Sequence, residues 1–239
     1  MASDSRRRNA SALAAAFSAT IPVLLGYTTL GAAFGLLLVN AGLPWWLAPL
    51  MSVVVYAGAA QFIAIGLLAA GRGILEIALL ALAINARHAV YGLSLLGRYE
   101  RCRRWRPYLV FGLTDETYGL LATIEPPRGS EEREREAFYA AVTLLDQLYW
   151  IAGTVAGTVV GLAARDAAGF DTRGLDFALT ALFVVLLVEQ VRAVRRPEPY
   201  LAAAAATALA FVAFGPERLL VAAILLSIAG IAALRRRLP

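Results

Sequence analysis

"NASALAAAFSATIPVLLGYTTLGAAFGLLLVN", residues 9–40, is 32 residues without one Asp, Glu, Arg or Lys. A helix needs about 20 apolar residues to cross a bilayer's hydrocarbon core, so this run is long enough with turns to spare. Residues 44–71 and 199–215 are likewise uncharged. Further apolar segments at 74–97, 107–124, 138–164, 175–191 and 218–234 follow the same style, separated by short charged stretches. Only 16% of the chain is charged and 60% is hydrophobic, against about 25% charged in an average soluble domain. The expectation is an all-α polytopic membrane protein with about seven or eight hydrophobic helical segments, some broken or re-entrant, within one integral domain, 1–239.

The positive charge sits in blocks beside the apolar runs: Arg6–Arg8, "RYERCRRWR" at 98–106, "RAVRR" at 192–196 and "RRR" at 235–237. Such flanks follow the positive-inside rule rather than the pattern of a nucleic-acid surface. The apolar run after Arg6–Arg8 extends to Val39, beyond a secretory h-region, and reads as a retained first membrane segment. The single Cys102 excludes an internal disulfide or a cysteine metal cluster. Orientation contains a conflict. A cytoplasmic 98–106 needs an even number of crossings before it, yet three apolar segments precede it. Either one of them re-enters, with the first, interrupted at Pro22 and Gly26, as candidate, or segment 107–124 crosses and the arginines face outward.

Pro126-Pro127 stops a helix in the linker 125–136, and Ser130 is a candidate cap for the next one. Halves 11–124 and 137–235 are the candidate division. Each opens on spaced glycines: Gly26, Gly31 and Gly35 in one, Gly153, Gly157 and Gly161 in the other. Glycines four apart share a helix face and let a second backbone come close in lipid.

Polar groups inside apolar segments mark the candidate site, because they are expensive in lipid. In "FGLTDETYGLLATI" (111–124), Thr114, Asp115, Glu116 and Thr117 interrupt the run. Asp115 and Glu116 point about 100° apart on a regular helix. With free backbone groups near Gly112 they could hold an ion or a substrate ammonium, or the stretch is an interfacial turn. In "NARHAVYG" (85–92), Asn85 and His88 share one face and Arg87 lies on another. His88 could carry a proton or pair with Asp115 or Glu116, or these residues merely close a helix before the charged loop. Asp146 shares a stripe with Trp150 and the second glycine set, with Arg87 as a candidate partner, or lies at the interface with Trp150 in the aromatic belt. Gln61 in an uncharged segment could hydrogen-bond across helices.

Enzyme chemistry finds no support. One histidine and one cysteine make a catalytic zinc site unfavourable, and with no lysine there is no phosphate-cradling Gly-Lys-Ser/Thr loop. No cofactor is expected. The polar breaks favour a transporter; a passive channel and a non-transporting membrane scaffold are the alternatives.

Taken in order, "GYTTLGAAFGLLL" (26–38), "YAGAAQF" (56–62), "NARHAVYG" (85–92), "FGLTDETYGL" (111–120), "YWIAGTVAGTVVG" (149–161) and "LDFALTALF" (175–183) resemble the AzlC family of branched-chain amino acid permeases. Thr180 stands where family members often carry proline. The resemblance implies a multi-pass bacterial inner-membrane secondary transporter that exports valine, leucine, isoleucine and methionine. It also implies a small hydrophobic AzlD-type partner subunit in the bilayer.

Overall fold

The computed structural model describes residues 2–100, 102–127, 129–166 and 197–235, together with 184, 188 and 191. The expected segment 175–191, Thr180 and the basic block 192–196 otherwise lie outside the described residues. Every regular element among the described residues is a helix. Three are long and apolar enough to cross a membrane: Ala12–Asn40, Ile74–Ser94 and Glu132–Arg165.

Helices α1 (Ala2–Asn40) and α8 (Glu132–Asp166) form the spine of the first compact unit, which comprises residues 1–73 and 84–172. They run parallel. Thr28 meets Gly153, Ala32 meets Gly157, and Leu36 and Val39 meet Gly161. A Cβ on Gly31 would stand 2.6 Å from the Trp150 carbonyl oxygen, and one on Gly157 would overlap the Ala32 backbone. The two glycine sets therefore pack on each other, where bare backbones give the close van der Waals contact that drives helix pairing in lipid. Pro22 and Gly26 do not break α1, which is continuous through both. The expectation that the first segment re-enters is therefore corrected. Beside Pro22, Thr20 Oγ1 donates to the Phe17 carbonyl and lies 3.1 Å from Tyr149 Oη, which ties this part of α1 to α8.

It is the second segment that turns back. Helix α2 (Leu47–Val54) ends in a sharp bend at Tyr56, which has φ 43°, and α3 (Gly58–Ala69) leaves it. Ser52 lies against Thr154 of α8, while the Val53 carbonyl reaches Gln147, two turns nearer the start of α8. Tyr56 then packs on Tyr27, and Phe62 packs on Phe34, two turns further along α1. The chain descends from the C-terminal end of the spine to its middle and climbs back.

Helix α4 (Ile74–Ser94) and the short α5 (Leu96–Tyr99) lead to the 98–106 loop. That loop lies at the N-terminal end of the spine. Tyr99 and Cys102 are buried with Ala12, Ala16, Phe138 and Tyr139, and Glu136 Oε1 accepts from the backbone N–H of Arg104 and Trp105.

From this end a second hairpin rises. Helix α6 (Arg106–Phe111) stops at Gly112, and α7 (Asp115–Thr123) returns. Gly112 reaches Thr143, Thr117 reaches Asp146, and Leu121 is back in the cluster around Ala12. Two hairpins thus enter from opposite ends of the spine, and Tyr56 of one turn meets Phe111 of the other with ring centroids 6.5 Å apart.

Both ends of the linker 125–136 lie in the first compact unit, with α1 and α8 on either side of it. Ser130 does not cap α8: its hydroxyl donates to the Pro127 carbonyl, and Glu134 accepts from the N–H of Glu131 instead. The second unit comprises residues 74–83 and 173–239. It contains the first turns of α4 and helix α9 (Glu198–Arg235), bent at Gly215, whose φ of 71° suits glycine.

Candidate functional site

The break that begins α7 follows from its residues. Thr114 has extended backbone (ψ 179°), and its hydroxyl accepts from the N–H of Thr117, which satisfies one of the orphan donors at a helix start. Asp115 and Glu116 in the first turn suit the positive end of the helix dipole. The run 114–117 is thus a capped helix start set at the middle of the spine. A threonine followed by two acids is a helix-start signal that an interior-of-segment reading overlooks.

Each candidate residue has a definite place. Asp115 pairs with Arg87 of α4 at 2.7 Å, both side chains partly exposed. Glu116 turns away, its Oε2 2.6 Å from Tyr27 Oη on α1. Tyr27 Oη is also 2.6 Å from Thr114 Oγ1, Thr114 donates to Thr117 over 3.0 Å, and Thr117 donates to Asp146 Oδ2 over 2.7 Å. The expected Arg87–Asp146 pair is therefore corrected: Asp146 is fully buried and takes its hydrogen bond from Thr117, while Arg87 serves Asp115. His88 is half-buried, with its ring beside Tyr91 at 5.9 Å, and Tyr91 stacks on Tyr118 of α7 at 4.3 Å. Asn85 is half-buried on α4 and joins none of these bonds. Gly112 offers no free N–H, since it donates to the Tyr108 carbonyl; a Cβ there would strike Thr143. Its bareness serves packing. Gln61 is fully buried and donates to Ser52 over 3.2 Å, and Ser52 shares a 2.9 Å bond with Thr154.

Gln147, beside Asp146, escaped the sequence reading and connects both hairpins. Its Oε1 accepts from Tyr108 Oη of α6, and its Nε2 donates to the Val53 carbonyl of α2. Tyr27 also went unremarked, because its partners lie 87 and 89 residues away.

Around the meeting of the turns, Tyr27, Phe34, Phe62 and Trp150 form an aromatic wall with centroids 5.3–6.4 Å apart. Set among these helices, Asp146 Oδ1, Gln61 Oε1, Tyr56 Oη and Trp150 Nε1 are buried without a hydrogen-bond partner. A buried polar atom left unmatched costs about 1–3 kcal/mol, so four in one region are a candidate set of ligand contacts. Among the described residues no group of His, Cys, Asp and Glu could hold a metal ion.

Residues 22–163 match the family described as AzlC protein. The chain belongs to the AzlC family. An uncharacterised membrane protein of Helicobacter pylori is 37% identical over 224 residues, covering 93% of this chain and 95% of the relative. The branched-chain amino acid transport protein AzlC of Bacillus subtilis is 31% identical over 227 residues, 95% of this chain and 87% of the relative. The inner membrane protein YgaZ of Escherichia coli is 32% identical over 171 residues, 71% and 69% respectively. No solved structure matches the chain. The region matched to the AzlC family runs from Pro22 to Ala163 and contains both hairpins and the two glycine sets that pack on each other.

Proposed function

We propose that this AzlC-family chain is a secondary transporter that exports branched-chain amino acids, coupled to a proton or other ion gradient. It would work in a bacterial inner membrane beside a small AzlD-type subunit. The name of the Bacillus subtilis relative supports the substrate class, and that of the Escherichia coli relative supports the location. With Arg6–Arg8 cytoplasmic, the 98–106 loop falls on the same side, because both lie at the N-terminal end of the spine. Two crossings, α1 and α4, then precede the loop, and the positive-inside conflict disappears.

The observation that carries the reading is the meeting of two opposed hairpin turns beside unpaired buried polar atoms. Irregular backbone at membrane depth is tolerated where it is buried in protein or lines a cavity, and transporters place substrate at broken helices near the midplane. Asp146 Oδ1 and Gln61 Oε1 can accept from an ammonium, while Trp150 Nε1 and Tyr56 Oη can donate to a carboxylate. The aromatic wall suits a branched apolar side chain. One methylene more or less in such a pocket is worth about 1–3 kcal/mol, so valine, leucine and isoleucine should compete with one another.

The test is the loss of labelled valine from preloaded cells that express the chain with its small partner. The comparison is with empty vector and with Asp115→Asn at matched membrane levels. Faster loss that saturates, falls with an uncoupler and is slowed by Asp115→Asn is expected. No loss above vector with both proteins folded would refute the substrate. Loss that neither saturates nor responds to uncoupler would favour a passive channel.

A further inference from the structure

Five oxygens from three helices form an unbroken line: Glu116 Oε2, Tyr27 Oη, Thr114 Oγ1, Thr117 Oγ1 and Asp146 Oδ2, with spacings of 2.6, 2.6, 3.0 and 2.7 Å. The line has four links but only three hydroxyl protons, because each of Tyr27, Thr114 and Thr117 carries one. With both carboxylates ionised, one link must hold two oxygens facing each other without a hydrogen. A single extra proton, on Glu116 or on Asp146, fills all four. The two ends differ in access: Glu116 is exposed and Asp146 is fully buried. An exposed carboxylate at this depth is expensive against lipid, so Glu116 belongs on a wetted face.

We infer that these five residues are a proton-binding relay, in which Glu116 and Asp146 share one proton through Tyr27, Thr114 and Thr117. In the transfer, the Glu116 O–H bond breaks as its proton joins Tyr27. The Tyr27 proton passes to Thr114, that of Thr114 to Thr117, and that of Thr117 to Asp146 Oδ2. Four O–H bonds break and four form, every hydroxyl is restored, and the negative charge moves from Asp146 to Glu116. Other groups frame the two ends. Asp115 and Arg87 lie near Glu116, while Tyr56 and Tyr108 face Asp146. Asp146 Oδ1 has no partner in the chain, so arrival of a substrate ammonium there would favour the ionised form and send the proton outward to Glu116. That exchange at one carboxylate gives the coupling its direction. It rests on the transporter reading; the relay itself does not.

The test uses the full-length protein in lipid vesicles and infrared difference spectra between alkaline and acid pH. An amide at either end supplies an N–H to the line and removes the need for the shared proton. Asp146→Asn and Glu116→Gln should therefore each remove the same part of the protonated-carboxyl signal, and the double variant should remove no more. Losses that add in the double variant would mean two independent carboxyls and would overturn the relay. Tyr27→Phe keeps the ring in the aromatic wall but cuts the line, and gives a second check should the amide variants fail to fold. In it the ratio of pH-gradient-driven valine movement to labelled valine-for-valine exchange should fall by about a hundredfold, within the range of lost proton-transfer catalysis. An unchanged ratio would make Tyr27 a structural residue and overturn the relay. Wild-type protein that moves no valine would defeat the transport reading alone, and the infrared comparison would still decide the relay.

Discussion

The turns at 55–57 and 112–114 do the same job with different materials. Both reverse the chain near the middle of the spine, and their aromatic residues touch. The first is held by aromatic packing and by neutral hydrogen bonds, from Gln147 to the Val53 carbonyl and from Gln61 to Ser52. Tyr56 sits at φ 43°, a conformation that costs a non-glycine residue about 1–3 kcal/mol, wedged against Tyr27 and Phe111. The residue ahead of α3, Ala57, offers no side-chain cap. The second is held by hydrogen bonds: Thr114 caps α7, and the line from Glu116 to Asp146 runs through it. A turn held by packing and neutral bonds can shift without disturbing charge. One built from hydroxyls and carboxylates responds to protons. Under the proposed relay, proton handling falls to the α6–α7 turn and the aromatic turn shapes the substrate space.

The contrast can be broken most forcefully by attacking what both turns lean on. Gly157→Val drives a branched side chain into the Ala32 backbone. Overpacking typically costs about 1–3 kcal/mol, and a backbone neighbour cannot yield as a side chain does. The expected outcome is little monodisperse protein on gel filtration and no ordered hairpin of either kind.

Next comes a paired substitution that separates the turns. Thr114→Val removes a cap worth about 1 kcal/mol and the centre of the hydroxyl line, so melting temperature and transport should both fall. Tyr56→Phe deletes a hydroxyl with no partner in the chain, so the melting temperature should stay within the range of about 0.5 kcal/mol typical of mild substitutions. Reduced transport affinity there without lost stability would place the hydroxyl on the substrate.

Smaller still is the effect on pH response. Asp115→Asn unpairs Arg87 and Glu116→Gln fills the outer end of the line. At least one of them should strongly flatten the pH profile of transport, measured at matched protein levels. Two wild-type profiles would remove the carboxylates from proton handling.

The least effect is expected at Cys102. Burial pushes its thiol up to about 11, with Glu136 and Glu132 adding to the shift. The thiolate fraction therefore rises about tenfold per pH unit until that value. Labelling of the native protein near neutral pH should be slow and should accelerate as pH rises, and Cys102→Ser should leave transport unchanged.

Much of this was legible in the residues. The uncharged run 9–40 dictates a spanning helix, and the glycine sets indicate close helix pairing, though not that the two sets meet each other. The polar interruption at 114–117 is visible as a string. What hides is the partner of each group. Tyr27 and Glu116 are 89 residues apart, and no local spacing announces their bond. Pro22 misleads because a proline's local preference for breaking helices yields to the packing of α1 along α8. Arg87 and Asp146 look complementary on paper, but Asp115 lies nearer to Arg87 in the fold. The sequence leaves the side of the 98–106 loop open because no local pattern announces the bend at Tyr56, which turns α3 back from α2.

That double-back underlies every later step, and it can be measured in the intact membrane. In a Cys102→Ser background, single cysteines at Ala41, Gly73, Arg103 and Arg133 would be labelled from one face at a time with a membrane-impermeant thiol reagent. All four positions are exposed. Ala41→Cys and Gly73→Cys should react from the same face, and Arg103→Cys and Arg133→Cys only from the opposite one. If Ala41→Cys and Gly73→Cys react from opposite faces, α2–α3 crosses the membrane and the opposed hairpins do not exist.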